Sequence, residues 1–318
     1  MSLYTPHEHA PGTSGAVEAF LKELKRSDSE VILLELLSDL DRDGARRLRD
    51  EWQSVPAATR TSMVRSMVED AERDVAQVYG RVMHIALDDP EPETRLAALR
   101  GLWEHDAPGL LGELLNLASV EKDSRVREAL AEALAPYAER VGADELETHE
   151  AARLRVTLLD MCQSDSARAV RRRALETLGY FPDDEAIAEA IQDAFDSGIF
   201  EMQVSALRAM GCQSDTRWLP ACYGELNSDE VEIRHEAVTA IGKIMDVRSS
   251  TRVVDMLADE DADVRVAAIL ALGAISGPIA INTLRRIIRD EDDMVLVEAA
   301  DDALSEAQLV VLPLQPPD

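Results

Sequence analysis

The chain has 318 residues, of which 46% are hydrophobic and 4% aromatic, and its net charge is -29. This length supplies enough material for a buried core, and a core poor in aromatics favours closely packed helices over sheets. The negative charge argues against nucleic acid or anionic membranes as partners, because both would be repelled.

Residues 1–16 have neither the basic start nor the apolar core of a signal peptide, and we expect them to form a disordered tail. No apolar run approaches the length of a membrane span, and a cytoplasmic location is predicted. Cys162, Cys212 and Cys222 have neither metal-ligand spacing nor a disulfide framework, so reduced thiols are expected.

Residues 17–79 contain helical patterns that we interpret as degenerate units capping the first edge of a larger array. Within them, DLDRDGARRLRD imitates a calcium-binding loop, with Asp39, Asp41, Asp43 and Asp50 at ligand positions. Two arginines inside this segment would oppose a dication. Asp41 as the N-cap of a helix explains the same residues more simply.

A ten-residue frame recurs seven times further along the chain. Successive frames begin 32, 44, 32, 31, 31 and 31 residues apart. The copies are TRLAALRGLW at Thr94, VREALAEALA at Val126, VRRRALETLG at Val170, MQVSALRAMG at Met202, IRHEAVTAIG at Ile233, VRVAAILALG at Val264 and VLVEAADDAL at Val295.

Frame positions 1, 5, 6 and 9 are mostly apolar and have helical spacing, so they predict a helix face turned to the core. Position 10 is Gly in four copies, near where each helix is expected to end or bend. Acidic or polar clusters precede the frames, and an Asp or Ser there can cap the helix N-terminus. Second helices lie between the frames, so the unit is a helical hairpin of about 31 residues.

These frames resemble the HEAT repeat family, specifically the short HEAT-like repeats of bacterial proteins such as phycobilisome lyases. The resemblance covers residues 80–308, with an insertion near 138–150 and a C-terminal tail at 309–318. It implies an all-α fold, a right-handed α-solenoid of stacked HEAT-like helical hairpins with a concave and a convex face.

Frame position 2 is Arg in five copies, and we predict a ladder in which these arginines bond to the neighbouring acidic turns. Positions 3 and 7 are expected to face the concave groove if the usual HEAT arrangement holds. The predicted partner-binding groove comprises Arg100, Trp103, Arg172, Arg173, Arg208 and His235. The arginines either bind an acidic or extended peptide or pair with Glu128, Glu132 and Glu176 across repeats.

The His235–Glu236 pair raises the question of a metal site, because HEAT-like deoxyhypusine hydroxylase uses such pairs to bind two irons. Only one frame in seven carries the pair, so too few ligands converge and no metal is predicted. The sequence also contains no Gly-rich phosphate loop, no nucleophile elbow and no zinc-binding cluster. We therefore predict neither a cofactor nor an enzyme.

The sequence favours a protein-interaction scaffold or regulatory adaptor that binds a protein or peptide partner. The alternative that the resemblance implies is a relative or partner of phycobilin lyases, handling a tetrapyrrole or its carrier protein. The fold alone does not decide between them.

Overall fold

The computed structural model describes residues 11–24, 31–74, 76–102, 107, 109–143, 145–146 and 148–311. Throughout these ranges the regular structure is helical, with no strand. The predicted all-α solenoid of helical hairpins is confirmed. The helices belong to two compact units, Met1–Leu134 and Ala135–Asp318.

The first unit contains seven α-helices and two short 3-10 helices in its described residues, Val31–Leu37 and Trp52–Ser54. The α-helices are α1 (Ser14–Leu24), α2 (Arg42–Glu51), α3 (Ala57–Arg73), α4 (Gly80–Ala86), α5 (Pro92–Gly101), α6 (Leu110–Val120) and α7 (Ser124–Ala133). Helix α3 packs on α5, and α5 packs on α7.

The second unit begins with α8 and ends with α18. Its α-helices are α8 (Ala135–Gly142), α9 (Thr148–Ser164), α10 (Arg168–Leu178), α11 (Glu185–Phe195), α12 (Phe200–Gln213), α13 (Leu219–Glu225), α14 (Val231–Ile244), α15 (Ser250–Asp255), α16 (Ala262–Ile275), α17 (Gly277–Asp290) and α18 (Met294–Val311). Short 3-10 helices lie at Thr216–Trp218, Val247–Ser249 and Met256–Ala258.

The frame helices of the second unit form one continuous layer. Helix α10 packs on α12, α12 on α14, α14 on α16 and α16 on α18. Each of α9, α11, α13, α15 and α17 packs on a frame helix and belongs to the other layer. This arrangement buries the apolar stripe of every hairpin, as stacked helical repeats require.

Burial of the frame positions follows the predicted stripe in the first six copies. In α14, Ile233, Ala237, Val238 and Ile241 at positions 1, 5, 6 and 9 are all buried. The small Ala237 lets neighbouring helices approach closely. The sequence pattern thus predicts the core of these frames residue by residue.

The last frame is displaced by one residue from its predicted register. The frame predicts that Val295 occupies the buried first position, yet Val295 is exposed, whereas Leu296 and Ala300 are buried. Ala303 takes the contact with Gly273 that the other copies make from position 8. The apolar run MVLV fits both registers, so the pattern alone could not choose between them.

The frame glycines lie near the ends of their helices, as expected, and Gly179 is the C-cap of α10. Gly211, Gly242 and Gly273 lie inside α12, α14 and α16, two or more residues before each helix ends. A Cβ on Gly242 would lie 2.8 Å from Cα of Ala271 on α16. These glycines are therefore needed for close helix–helix approach rather than for a left-handed C-cap.

The N-cap interpretation of the calcium-like segment is confirmed. The Asp41 carboxylate accepts a hydrogen bond from the Gly44 amide at 2.6 Å, at the start of α2. Asp43 and Asp50 lie within that helix, so they do not belong to a loop that could wrap an ion.

Candidate functional site

Each of the five position-2 arginines donates to a backbone carbonyl of the turn before its frame, as the predicted ladder requires, and Arg95 and Arg234 also reach the next turn. Arg95 donates to Glu121 of the next turn at 2.7 Å and to the backbone carbonyl of Asp89 in its own turn. Arg234 repeats this arrangement with Asp259, at 2.8 and 2.9 Å, and with the Ser228 carbonyl. These arginines hold the repeats together and are not available to a partner.

Helix α3 carries a further rung of the ladder, within the segment that the sequence assigned to degenerate caps. The buried Arg60 donates to both carboxylate oxygens of the buried Asp89 and to the Val55 carbonyl. Met63 and Met67 occupy the buried frame positions of this helix. The sequence signal for this additional frame is the pair Thr59-Arg60, which matches Thr94-Arg95 at the start of the first frame.

The predicted groove residues of the second unit lie on one face of three neighbouring frame helices. Arg173 donates to Glu176 at 2.8 Å, and Arg208 donates to the same carboxylate at 3.4 Å. Arg208 also donates to Glu236 on α14 at 2.7 Å. We call this chain of alternating charges, Arg173, Glu176, Arg208, Glu236 and His235, the charged row.

Arg172 lies beside the charged row. Its Nε donates to Ser205 Oγ at 3.1 Å, and Ser205 donates in turn to Glu176 at 2.7 Å. Of the cross-repeat pairs that the sequence offered as one of two alternatives, the structure shows Arg208 with Glu176, whereas Arg173 reaches Glu176 within its own helix. Arginines compensated in this way offer less to an acidic partner than free ones would.

Electrostatic shifts follow from these contacts. Burial raises the pKa of Glu236, but His235 and Arg208 outweigh it, so the net pKa lies below its usual value. The Glu236 carboxylate, whose Oε1 is 3.9 Å from Nδ1 of His235, raises the pKa of that imidazole. At this distance the two groups attract each other as charges without a direct hydrogen bond.

An open groove of about 1150 Å³ begins where the charged row ends. Leu270, Met245 and Val231 keep 49%, 58% and 39% of their surface exposed on it. We call it the apolar groove. Its lining includes Tyr180, Cys212, Val231, Glu232, His235, Thr239, Gly242, Lys243, Met245, Asp263, Val266, Leu270, Ala271 and Ala274.

The floor of the apolar groove is formed where glycines bring two frame helices together. Gly242 of α14 faces Ala271 of α16, and Gly211 of α12 faces Ala240 of α14 in the same way. Larger residues at these positions would separate the helices and fill the groove. The sequence signals for the groove were therefore Gly at position 10 and Ala two positions earlier in the next frame.

Met245 is the groove residue least expected from the sequence. It ends α14 with φ of 56°, a left-handed conformation, and Ser214 does the same for α12. This conformation costs a side-chain-bearing residue about 1–2 kcal/mol. The repeated turn explains the backbone, and it places a methionine side chain at the edge of the groove.

Cys212 also borders the apolar groove, half-buried, with Lys243 Nζ 3.6 Å from its Sγ. Burial raises the pKa of Cys162 to about 11 and that of Cys222 to about 12. The three thiols are free, as predicted, but only Cys212 among them reaches the groove surface.

The remaining predicted site residues lie elsewhere. Arg100 is exposed on α5 in the first unit, and Trp103 lies outside the described residues. Among the residues that the structure describes, no three His, Cys, Asp or Glu side chains are grouped so that they could hold a metal ion. No helix in that part of the chain is long and apolar enough to cross a membrane.

A family model for HEAT repeats matches residues 81–152 and 220–305. The chain carries HEAT repeats. The matched segments contain the frame helices α5, α7, α14 and α16. The frame helices α10 and α12 lie between the two matches in sequence, and within the second unit α12 packs on α14.

Solved structures of similar fold include importin beta, at 12% identity and a TM-score of 0.53, covering 91% of this chain and 46% of that one. Escherichia coli YibA matches at 16% identity and a TM-score of 0.47, covering 95% and 99% of the two chains. A chain of the Pds5–Scc1 complex matches at 12% and 0.35, covering 96% and 62%. The likeness to importin beta supports the solenoid fold alone. No curated protein matches the sequence.

Proposed function

We propose that this chain is a non-catalytic protein-interaction scaffold or regulatory adaptor that holds a protein or peptide partner in the apolar groove. The observation that carries the proposal is the contiguous exposure of Val231, Met245 and Leu270 around a concave surface. Soluble proteins seldom leave such a patch uncovered unless another molecule covers it. HEAT solenoids often act as protein-interaction scaffolds, which agrees with this assignment.

The charged row has a different part in this proposal. Because Arg173 and Arg208 are paired with carboxylates, the row holds the frame helices in register beside the groove. His235 borders both regions and is the predicted groove residue that contributes directly. Nucleic acid and anionic membranes are not proposed as partners, because the net charge of -29 would repel both.

The size of the groove favours a peptide over a tetrapyrrole. Small-molecule pockets usually enclose about 300–1,000 Å³ and bury most of their ligand. The apolar groove, at about 1150 Å³, is open along α14 and α16. The lyase-like alternative predicts a visible bilin absorbance that titrates with purified protein, and we expect none.

Affinity capture with a matched pair of variants tests the proposal. Leu270→Glu places a charge in the groove, whereas Ile279→Glu places one at an equally exposed position of α17 outside the groove lining. We expect partners captured by the wild-type chain to be lost with Leu270→Glu and kept with Ile279→Glu. An identical partner list for all three proteins would refute the groove as the binding face.

A further inference from the structure

The two ends of the apolar groove carry opposite charge. The carboxylates of Glu232 and Asp263 lie at the end formed by the first turns of α14 and α16. Lys243 lies in the last turn of α14, at the other end. The apolar Val266 and Leu270 lie between them. A segment bound along the groove therefore meets acid first, then hydrocarbon, then an ammonium group.

Resting on the proposed function, we infer that the groove binds a cationic amphipathic segment of a partner protein, with its Arg or Lys residues over Glu232 and Asp263. Its apolar side chains cover Val266, Leu270 and Met245, and a carboxylate at its far end meets Lys243. This order of charges fixes the direction in which the segment lies as well as its composition.

Charge compensation elsewhere in the site supports a cationic rather than an acidic segment. Arg208, the arginine nearest the acidic end, makes its closest ion pair with Glu236 at 2.7 Å and its longest with Glu232 at 3.8 Å, so the charge of Glu232 is only partly compensated. Asp263 is exposed on the groove. The net charge of -29 also attracts a cationic partner from a distance and repels an acidic one.

The groove dimensions set the length of the segment. Glu232 and Lys243 are eleven residues apart on one helix, which corresponds to about 16 Å along its axis. An extended peptide spans that distance with about five residues, and a helical one needs about eleven. A twelve-residue peptide therefore covers the groove in either conformation.

Selection from a random library of displayed twelve-residue peptides tests the inference. The library is selected on the wild-type chain and depleted on Leu270→Glu, with Ile279→Glu as the control. We expect the enriched peptides to combine Arg or Lys at one end with large apolar residues. A synthetic peptide made from them should bind Asp263→Lys at least tenfold more weakly than wild type and should protect Cys212 from a maleimide.

The outcomes separate this inference from the function on which it rests. If wild type and Leu270→Glu enrich the same peptides, the groove is not a binding face and both proposals fail. If Leu270→Glu loses the peptides but they are acidic or neutral, or Asp263→Lys binds them unchanged, only the inference fails. A wild-type dimer that Leu270→Glu dissociates would make a second copy the occupant and would also overturn it.

Discussion

The charged row and the apolar groove occupy equivalent frame positions on neighbouring helices, yet they have opposite properties. Position 7 is Glu176 on α10 and Arg208 on α12, but Leu270 on α16. Where the position is charged, side chains bridge one helix to the next. Where it is apolar, the side chain stays half exposed and bridges nothing. The repeated backbone thus presents the same helix face in each frame. The residue at position 7 decides whether that face is bridged by ion pairs or stays exposed.

The largest effect that we expect is a difference in reaction rate between the cysteine on the apolar groove and the two buried cysteines. Cys212 lies on the open groove, whereas Cys162 and Cys222 are buried in the helical layers. Buried thiols react only after local or global opening, so we expect Cys212 to react with a maleimide at least about 1,000-fold faster, equivalent to about 4 kcal/mol of opening free energy.

Mass spectrometry of native protein after timed labelling measures this difference. Cys212→Ser should abolish the fast phase and leave the slow phases unchanged. Two fast thiols in the wild-type chain would contradict the contrast, because they would show that the packed layers open as readily as the groove.

The next effect concerns the groove floor. Gly242→Ala would place Cβ 2.8 Å from both Cα and Cβ of Ala271, so α14 and α16 must separate. Such overpacking costs about 1–3 kcal/mol in the free energy of unfolding. Urea denaturation followed by circular dichroism measures the loss.

Gly224→Ala on α13 is the matched control for the groove floor. An added Cβ there has no neighbour within 4 Å among the described residues. Replacing a helical glycine in open space stabilises by about 0.5–1 kcal/mol. If the two variants shift the urea midpoint in the same direction, close helix approach is not what Gly242 provides.

The repeat made much of the fold predictable from sequence. The buried stripe depends on residues whose role is fixed by their position in the frame, such as Ala237 and Ile241. The sequence misplaced the last frame by one residue, at Val295, because the consecutive apolar residues there fit two alignments of the frame. The sequence places α3 among the degenerate units and not among the frames, because Met63 stands where most frames have alanine.

The candidate site was less predictable for a physical reason. The sequence identified Arg172, Arg173, Arg208 and His235 by frame position, but it could not choose their partners. Pairing depends on which rotamers reach across the distance between helices, as Arg208 does to Glu236 at 2.7 Å. The frame does not predict the apolar groove, because the groove depends on the close approach of α14 and α16 and on Met245, which lies beyond the ten-residue frame.

A smaller effect is expected from breaking the charged row. Arg208→Met leaves the largely buried carboxylate of Glu236 without its closest cation. We expect a loss of about 1–2 kcal/mol in the free energy of unfolding, since an unsatisfied buried acceptor is costly. Adding Glu236→Gln to Arg208→Met should recover part of the loss, because the uncompensated charge is removed.

Arg168→Met provides the comparison for Arg208. Arg168 also joins α10 to α12, through Glu201, but both side chains of that pair are exposed. Exposed pairs contribute about 0–1 kcal/mol. Equal losses for Arg168→Met and Arg208→Met would show that the charged row is no more than a set of surface ion pairs.

The smallest effect is the pH dependence contributed by His235, which lies where the row meets the groove. Its pKa is raised above the usual 6.5 by Glu236 and Asp263, although Arg208 opposes them. Its stabilising contribution is therefore fully present below pH 6.5 and is lost as pH rises through the raised value. The contribution also requires that Glu236 is ionised. The pKa of Glu236 lies below its usual value of 4.5, so its carboxylate stays charged over the whole range in which His235 titrates.

The resulting window is testable with His235→Gln, because glutamine keeps a polar side chain but cannot be protonated. We expect the variant to be less stable than wild type by a few tenths of a kcal/mol to about 1 kcal/mol at pH 5.5, since half-exposed pairs contribute little. The deficit should decrease as pH rises through the raised pKa of His235, as measured by urea denaturation at pH 5.5 and at pH 8.5. A deficit that is the same at both pH values would place His235 with the groove, as a packing residue, and remove it from the charged row.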